Sequence, residues 1–117
     1  VLAEATVDKI LTSGTKAVTQ TSSITSSVTC NGSAGVITLV SSTVAATTVH
    51  SFTLENTEIT ANSVIMLTLE NPTNADEDNV HVSLQSVSSG RAVINIANNT
   101  STQATAQVRK IHFIVMN

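Results

Sequence analysis

The side chains that could carry chemistry are few and scattered. Three histidines, His50, His81 and His112, fall in stretches that read as strands. Three imidazoles can hold a metal when they converge, but nothing in this spacing requires convergence. The densest charge in the chain is Asp76, Glu77 and Asp78, flanked by Asn74 and Asn79. Such oxygen donors suit calcium, yet the run lacks the alternating spacing and the glycine of an EF-hand loop, so a solvated loop tip is the default reading. No metal site is therefore assigned. Cys30 is the only cysteine, so no intrachain disulfide can form, and it is expected to be a small buried apolar residue.

Catalytic patterns are missing. There is no Gly-x-Ser-x-Gly elbow, and Gly32-Ser33 sits in a turn sequence with no evident base. The four glycines are too dispersed to cradle a phosphate. Paired carboxylates for glycoside hydrolysis are not excluded by spacing, but the chain has no Trp or Tyr and only two Phe with which to hold a sugar. No catalytic residue and no cofactor is assigned, and the expectation is a non-enzyme. Asn31-Gly32-Ser33, Asn98-Asn99-Thr100 and Asn99-Thr100-Ser101 match the N-glycosylation pattern. In a chain this rich in Asn, Ser and Thr such matches arise by chance.

The elements that would position these residues are strands. Roughly three residues in ten are Ser or Thr, and Val and Asn are abundant, whereas Lys, Glu and Leu are scarce. β-Branched residues favour strands, and Ser and Asn favour turns. Charged residues make up 11% of the chain, and the net charge is −3. That is well below the ordinary charged fraction of about 25%. Low charge gives little protection against association and suits a protein that assembles. Five basic residues among eight acidic ones argue against nucleic-acid binding. No apolar run approaches the roughly 20 residues that a membrane helix needs, so no membrane partner is expected. A chain that opens on Val1 rather than Met is expected to have been processed or trimmed.

Residues 63–70, SVIMLTLE, form the best-defined stretch. A short apolar run between Asn62 and Asn71-Pro72 reads as a strand buried on both faces. Ile65, Leu67 and Leu69 point one way, and Met66 and Thr68 the other. Residues 1–14 read either as an extended arm or as a short helix, since Val7, Ile10 and Leu11 lie at helical spacing. Residues 15–28 read as an edge strand or a flexible lead-in.

Asn31 to Gly35 reads as a turn, 36–40 as a strand and 41–46 as a bend. In 47–55, His50, Phe52 and Leu54 share a face. A connection over 56–62 tucks Ile59 inward. Residues 71–79 form a loop. Val80, Val82 and Leu84 alternate, Ser88-Ser89-Gly90 turns, and Ala92, Ile94 and Ile96 alternate. A polar turn at 98–102 leads to one long strand over 103–116. There Ile111, Phe113 and Val115 face the core, Lys110 and His112 face out, and Arg109 sits near a rim. Six or seven strands at spacings of about 8–12 residues predict one all-β domain, an antiparallel β-sandwich of jelly-roll type. The division is 1–28, an N-terminal arm or edge segment, and 29–117, the sandwich.

Three strings carry a family resemblance: Cys30-Asn31-Gly32-Ser33-Ala34-Gly35-Val36-Ile37-Thr38; the stretch 53–71 around Ser63-Val64-Ile65-Met66-Leu67; and Val87-Ser88-Ser89-Gly90-Arg91-Ala92-Val93-Ile94-Asn95-Ile96 with the apolar ending Lys110 to Met116. Residues 28–117 thereby resemble small β domains in virion proteins of marine tailed bacteriophages, including cyanophages. The resemblance implies a structural role on the outer surface of the virion. The expected form is a capsid decoration (cement) or head-fibre protein that binds the major capsid protein or other virion proteins as a homo-oligomer, with a trimer favoured. A tail-fibre or adhesin domain that recognises a host surface is the alternative, and a non-viral secreted or filament-forming β module is the third reading.

Overall fold

The computed structural model describes residues 16–72 and 80–117. Among the described residues there are ten strands and no helix. They are β1 (Lys16–Thr19), β2 (Val28–Thr29), β3 (Ala34–Thr38), β4 (Ser42–Val44), β5 (Thr48–Glu55), β6 (Val64–Glu70), β7 (Val80–Ser88), β8 (Arg91–Asn98), β9 (Ala104–Gln107) and β10 (Lys110–Met116). Two four-stranded sheets, ordered β1-β3-β10-β6 and β2-β5-β8-β7, are joined by a two-stranded ribbon, β4-β9. The all-β expectation therefore holds. Pairing is not purely antiparallel, because β1 runs parallel to β3 and β2 runs parallel to β5 at the sheet edges.

Period-two alternation sets which side chains go inside. In β8, Ala92, Ile94 and Ile96 are wholly buried, and in β5 so are Phe52 and Leu54. These two strands pair without interruption from Thr48↔Asn98 to Glu55↔Arg91. In β10, Ile111, Phe113 and Val115 turn in while Lys110 and His112 stay exposed. Side chains from both sheets meet in one hydrophobic cluster, which Ile59 joins from the connection before β6. Fully burying one such aliphatic or aromatic side chain stabilises the fold by about 1.5–3 kcal/mol.

Strand β7 carries Val80, Val82 and Leu84 inward as expected, and then a bulge intervenes between Leu84 and Ser86. The extra residue resets the phase, so that Val87 also packs on the core opposite Ala92. The β7–β8 connection is a two-residue turn of Ser89 and Gly90, with Gly90 at φ 83°. Glycine takes that conformation without steric cost.

Several expectations need correction. Strand β6 is not covered on both faces. It pairs with β10 alone among the described strands and forms an edge of its sheet. Val64 and Met66 on its outer face are each 57% exposed. The run looks doubly buried in sequence only because its outward residues are apolar as well. Residues 42–44 form a strand rather than a bend, because β9 provides a partner for them.

The expected long final strand is two strands. β9 leaves for β4, and the chain turns through Val108 and Arg109 before β10 begins. Arg109 is consequently 1% exposed rather than at a rim. Gly35 belongs to β3, not to the preceding turn; it pairs with Phe113 beneath that residue's ring.

The segment after residue 15 is an edge strand of the chain's own sheet. Its last hydrogen bond, Gln20 N to Thr38 O at 2.8 Å, extends the β1–β3 pairing. The Gln20 amide is buried and holds the next turn. Nε2 donates to the carbonyls of Ile24 and Ser26, both at 2.9 Å, while Oε1 accepts from Val40 N at 3.2 Å. Ile24 and Val28 thereby reach the core. The arm-or-helix expectation for residues 1–14 lies outside the described residues.

Candidate functional site

The buried polar side chains tie loops to sheets. Asn98, wholly buried at the end of β8, donates from Nδ2 to Val44 O at 3.0 Å and to Thr102 O at 2.8 Å. Its Oδ1 accepts from the backbone N and the hydroxyl of Thr100 at 3.0 and 2.7 Å. One amide thus fixes both the 98–102 turn and the β4 ribbon.

Asn56 does the same at another corner. It donates to Gly32 O at 2.7 Å and accepts from Gly32 N and Glu58 N at 3.2 and 2.9 Å. Arg109 spreads its guanidinium over three segments. It reaches Asn71 Oδ1 at 3.2 Å, Ser42 O at 3.3 Å and Thr105 O at 3.1 Å. The planar fork of donors suits several fixed acceptors at once.

Sequence alone missed all three. Asn98 and Asn56 read as ordinary turn residues, and Arg109 as a residue near a rim. The available signal was Arg109's inward parity with Ile111 and Phe113.

The histidines do not come together. His50 is half-buried on β5 opposite Ile96, His81 is exposed on β7, and His112 is exposed on the outer face of β10 in the other sheet. Among the described residues no group of three His, Cys, Asp or Glu side chains could hold a metal. Asp76, Glu77 and Asp78, with Asn74 and Asn79, lie outside the described residues.

Of the glycosylation matches, Asn31 and Asn99 are exposed, whereas the Asn98 amide is spent inside the fold. Cys30 is buried against Gly35, as its expected apolar role requires. Desolvation raises its thiol pKa, and the charge of Lys16 opposes that more weakly.

One surface feature stands out, the outer face of the sheet β1-β3-β10-β6. At one end His112 Nε2 donates to Glu70 Oε1 at 2.6 Å, beside Lys110. That hydrogen bond, ahead of the smaller effects of the nearby positive charges, holds the Glu70 carboxyl below its ordinary pKa. At the other end the face is apolar. Met66 pairs with Ile114, and Val64 pairs with Met116. Met116 is 38% exposed, which completes an open apolar patch with Val64 and Met66. The strand's end is pinned from behind. Ser63 donates to Asn117 Oδ1, and Asn117 Nδ2 donates to Glu58 O at 3.0 Å.

No protein-family model matches this chain, and no match is found among curated proteins or among solved structures. The site is therefore read from its geometry. That geometry comprises polar clasps that brace loops and one sheet face that is half charged and half apolar.

Proposed function

We propose that this chain is a non-enzymatic virion structural protein. In this reading its two sheets pack as a β-sandwich of jelly-roll type. The domain decorates the outside of a phage capsid in many copies, as a homo-oligomer, a trimer by preference, that binds the major capsid protein. The observation that carries the reading is how polar chemistry is used. Gln20, Asn56, Asn98 and Arg109 are buried with their hydrogen-bonding groups on backbone and on Asn71. Such bonds fix loop shape, which is what a repeating lattice component needs. The resemblance carried by residues 28–117 points the same way, as does a surface poor in charge. Closed symmetric oligomers are the usual form of such modules.

Copy number per particle tests this, by quantitative mass spectrometry of purified virions against the major capsid protein. Hundreds of copies support decoration. A few to a few tens move the chain to the tail or a single vertex and favour a host-binding fibre domain. Absence from particles ends both viral readings.

A further inference from the structure

Asn31-Gly32 is the one Asn-Gly pair in the chain, and it lies in the turn between β2 and β3. Asparagine followed by glycine is the pair most open to spontaneous deamidation, because glycine puts no side chain in the way of ring closure. The backbone nitrogen of the glycine attacks Cγ of the asparagine. The N–Cγ bond forms, the Cγ–Nδ2 bond breaks, and ammonia leaves with the proton that the amide gives up. Water then opens the succinimide ring. Opening at Cγ leaves aspartate. Opening at the backbone carbonyl leaves isoaspartate, whose main chain is one methylene longer.

The turn favours this pair. Gly32 has φ 139°, a conformation that glycine alone adopts at little cost. Asn31 is exposed, and its Oδ1 accepts from Thr57 N at 2.9 Å. Both reacting groups are therefore held by other partners. Gly32 N donates to Asn56 Oδ1 at 3.2 Å, and Gly32 O accepts from Asn56 Nδ2 at 2.7 Å. Asn56 itself is 1% exposed. The next residue is tied as well, since Ser33 O accepts from Val115 N at 2.8 Å. Attack on Cγ needs two bonds to open together, the one from Thr57 to the Asn31 side chain and the one from Gly32 to Asn56. An N–H that is already donated also resists the deprotonation that makes its nitrogen a nucleophile.

We propose that Asn31 is a deamidation site that the Asn56 clasp keeps closed, so that conversion proceeds only when this turn opens locally. The event runs one way. Isoaspartate lengthens the β2–β3 connection, and Gly32 and Ser33 then lose their register with Asn56 and Val115. Ordinary aspartate keeps an acceptor for Thr57 N and leaves the backbone length unchanged, so the turn tolerates it. This inference goes beyond the virion reading and does not depend on it.

The test incubates the intact protein in mildly alkaline buffer. Conversion at each asparagine is read by peptide mapping and mass spectrometry, with isoaspartyl peptides resolved by chromatography. The same protein in concentrated urea gives the unclasped rate. Folded protein should convert Asn31 at least about tenfold more slowly than unfolded protein, as an opening that is rarely populated requires. Asn56→Ala, shown to be folded by circular dichroism, should convert Asn31 several-fold faster than the unsubstituted protein. The exposed Asn62 and Asn99 serve as internal controls and should keep their rates. Equal Asn31 rates in folded and unfolded protein would overturn the proposal. So would a folded Asn56→Ala that converts Asn31 no faster, or one that speeds the control sites in proportion. If Asn56→Ala does not fold, hydrogen exchange of the Gly32 amide in the unsubstituted protein decides. Slowing by about tenfold or more supports the clasp, and exchange at the rate of a free peptide refutes it.

Discussion

Gly35→Ala should destabilise the protein, although alanine is the better strand residue. Gly35 sits inside β3, between β1 and β10, opposite Phe113. A Cβ built there would lie 2.5 Å from Phe113 Cε2, 2.6 Å from Cζ and 3.0 Å from Cys30 Sγ. Ordinary contact begins near 3.4 Å, so the ring would have to withdraw by 3.4 − 2.5 = 0.9 Å. Phe113 is 2% exposed and held by the core, so the ring cannot swing into solvent. Overpacking of this kind costs about 1–3 kcal/mol. Against it, replacing glycine removes unfolded-state entropy worth about 0.4–1 kcal/mol. Overpacking wins, and the net loss is about 1–2 kcal/mol. A domain of this size loses about 4 °C of Tm per kcal/mol, so Tm should fall by about 4–8 °C.

Thermal and urea unfolding of Gly35→Ala, Phe113→Leu and the double variant measure this. In the double variant the smaller side chain leaves room for the Cβ. The two substitutions should therefore cost less together than the sum of their separate costs, by about 1 kcal/mol or more. If Gly35→Ala is neutral, or the two effects add, Phe113 does not close over Gly35 and the β3–β10 register is wrong.

Asn98→Ala removes four hydrogen bonds from a buried site and leaves the Thr102 carbonyl with the Thr100 hydroxyl as its side-chain donor. A loss of about 2–4 kcal/mol is expected, read as a lower urea midpoint with the slope unchanged. A loss below about 0.5 kcal/mol would place the amide in water. Glu70 should titrate below the ordinary glutamate value of about 4.3, and His112→Ala should bring it back up, as followed by carboxyl NMR. Because the folded pKa is lowered, the stabilising contribution is present above the unfolded value and is lost as pH falls through the folded one. An unchanged Glu70 titration in His112→Ala would remove the hydrogen bond as the cause.

Alternation along single strands is legible in the residue order. In β5, β6, β8 and β10 the inward residues are those that the parity of the sequence assigns, because side chains on a pleated strand must point to opposite faces. Turn chemistry is equally local. Gly90 marks its hairpin because few other residues adopt φ 83° at little cost.

Partnership between strands is not legible in that way. Whether β6 lies at an edge or in the interior depends on which strand comes to lie beside it, and Val64 and Met66 look the same in either place. The ribbon β4-β9 exists only because residues far apart in sequence meet, and that meeting divides what reads as one final strand. Arg109 is buried at this division, where Ser42, Asn71 and Thr105 supply acceptors that no local pattern could announce. The sequence alone determined the β character of the chain, the inward face of each strand and the low charge of its surface, since these depend on residue type and period two. Tertiary structure decided which strands form edges, which polar groups are buried and where apolar surface stays open, because each depends on contacts between distant segments.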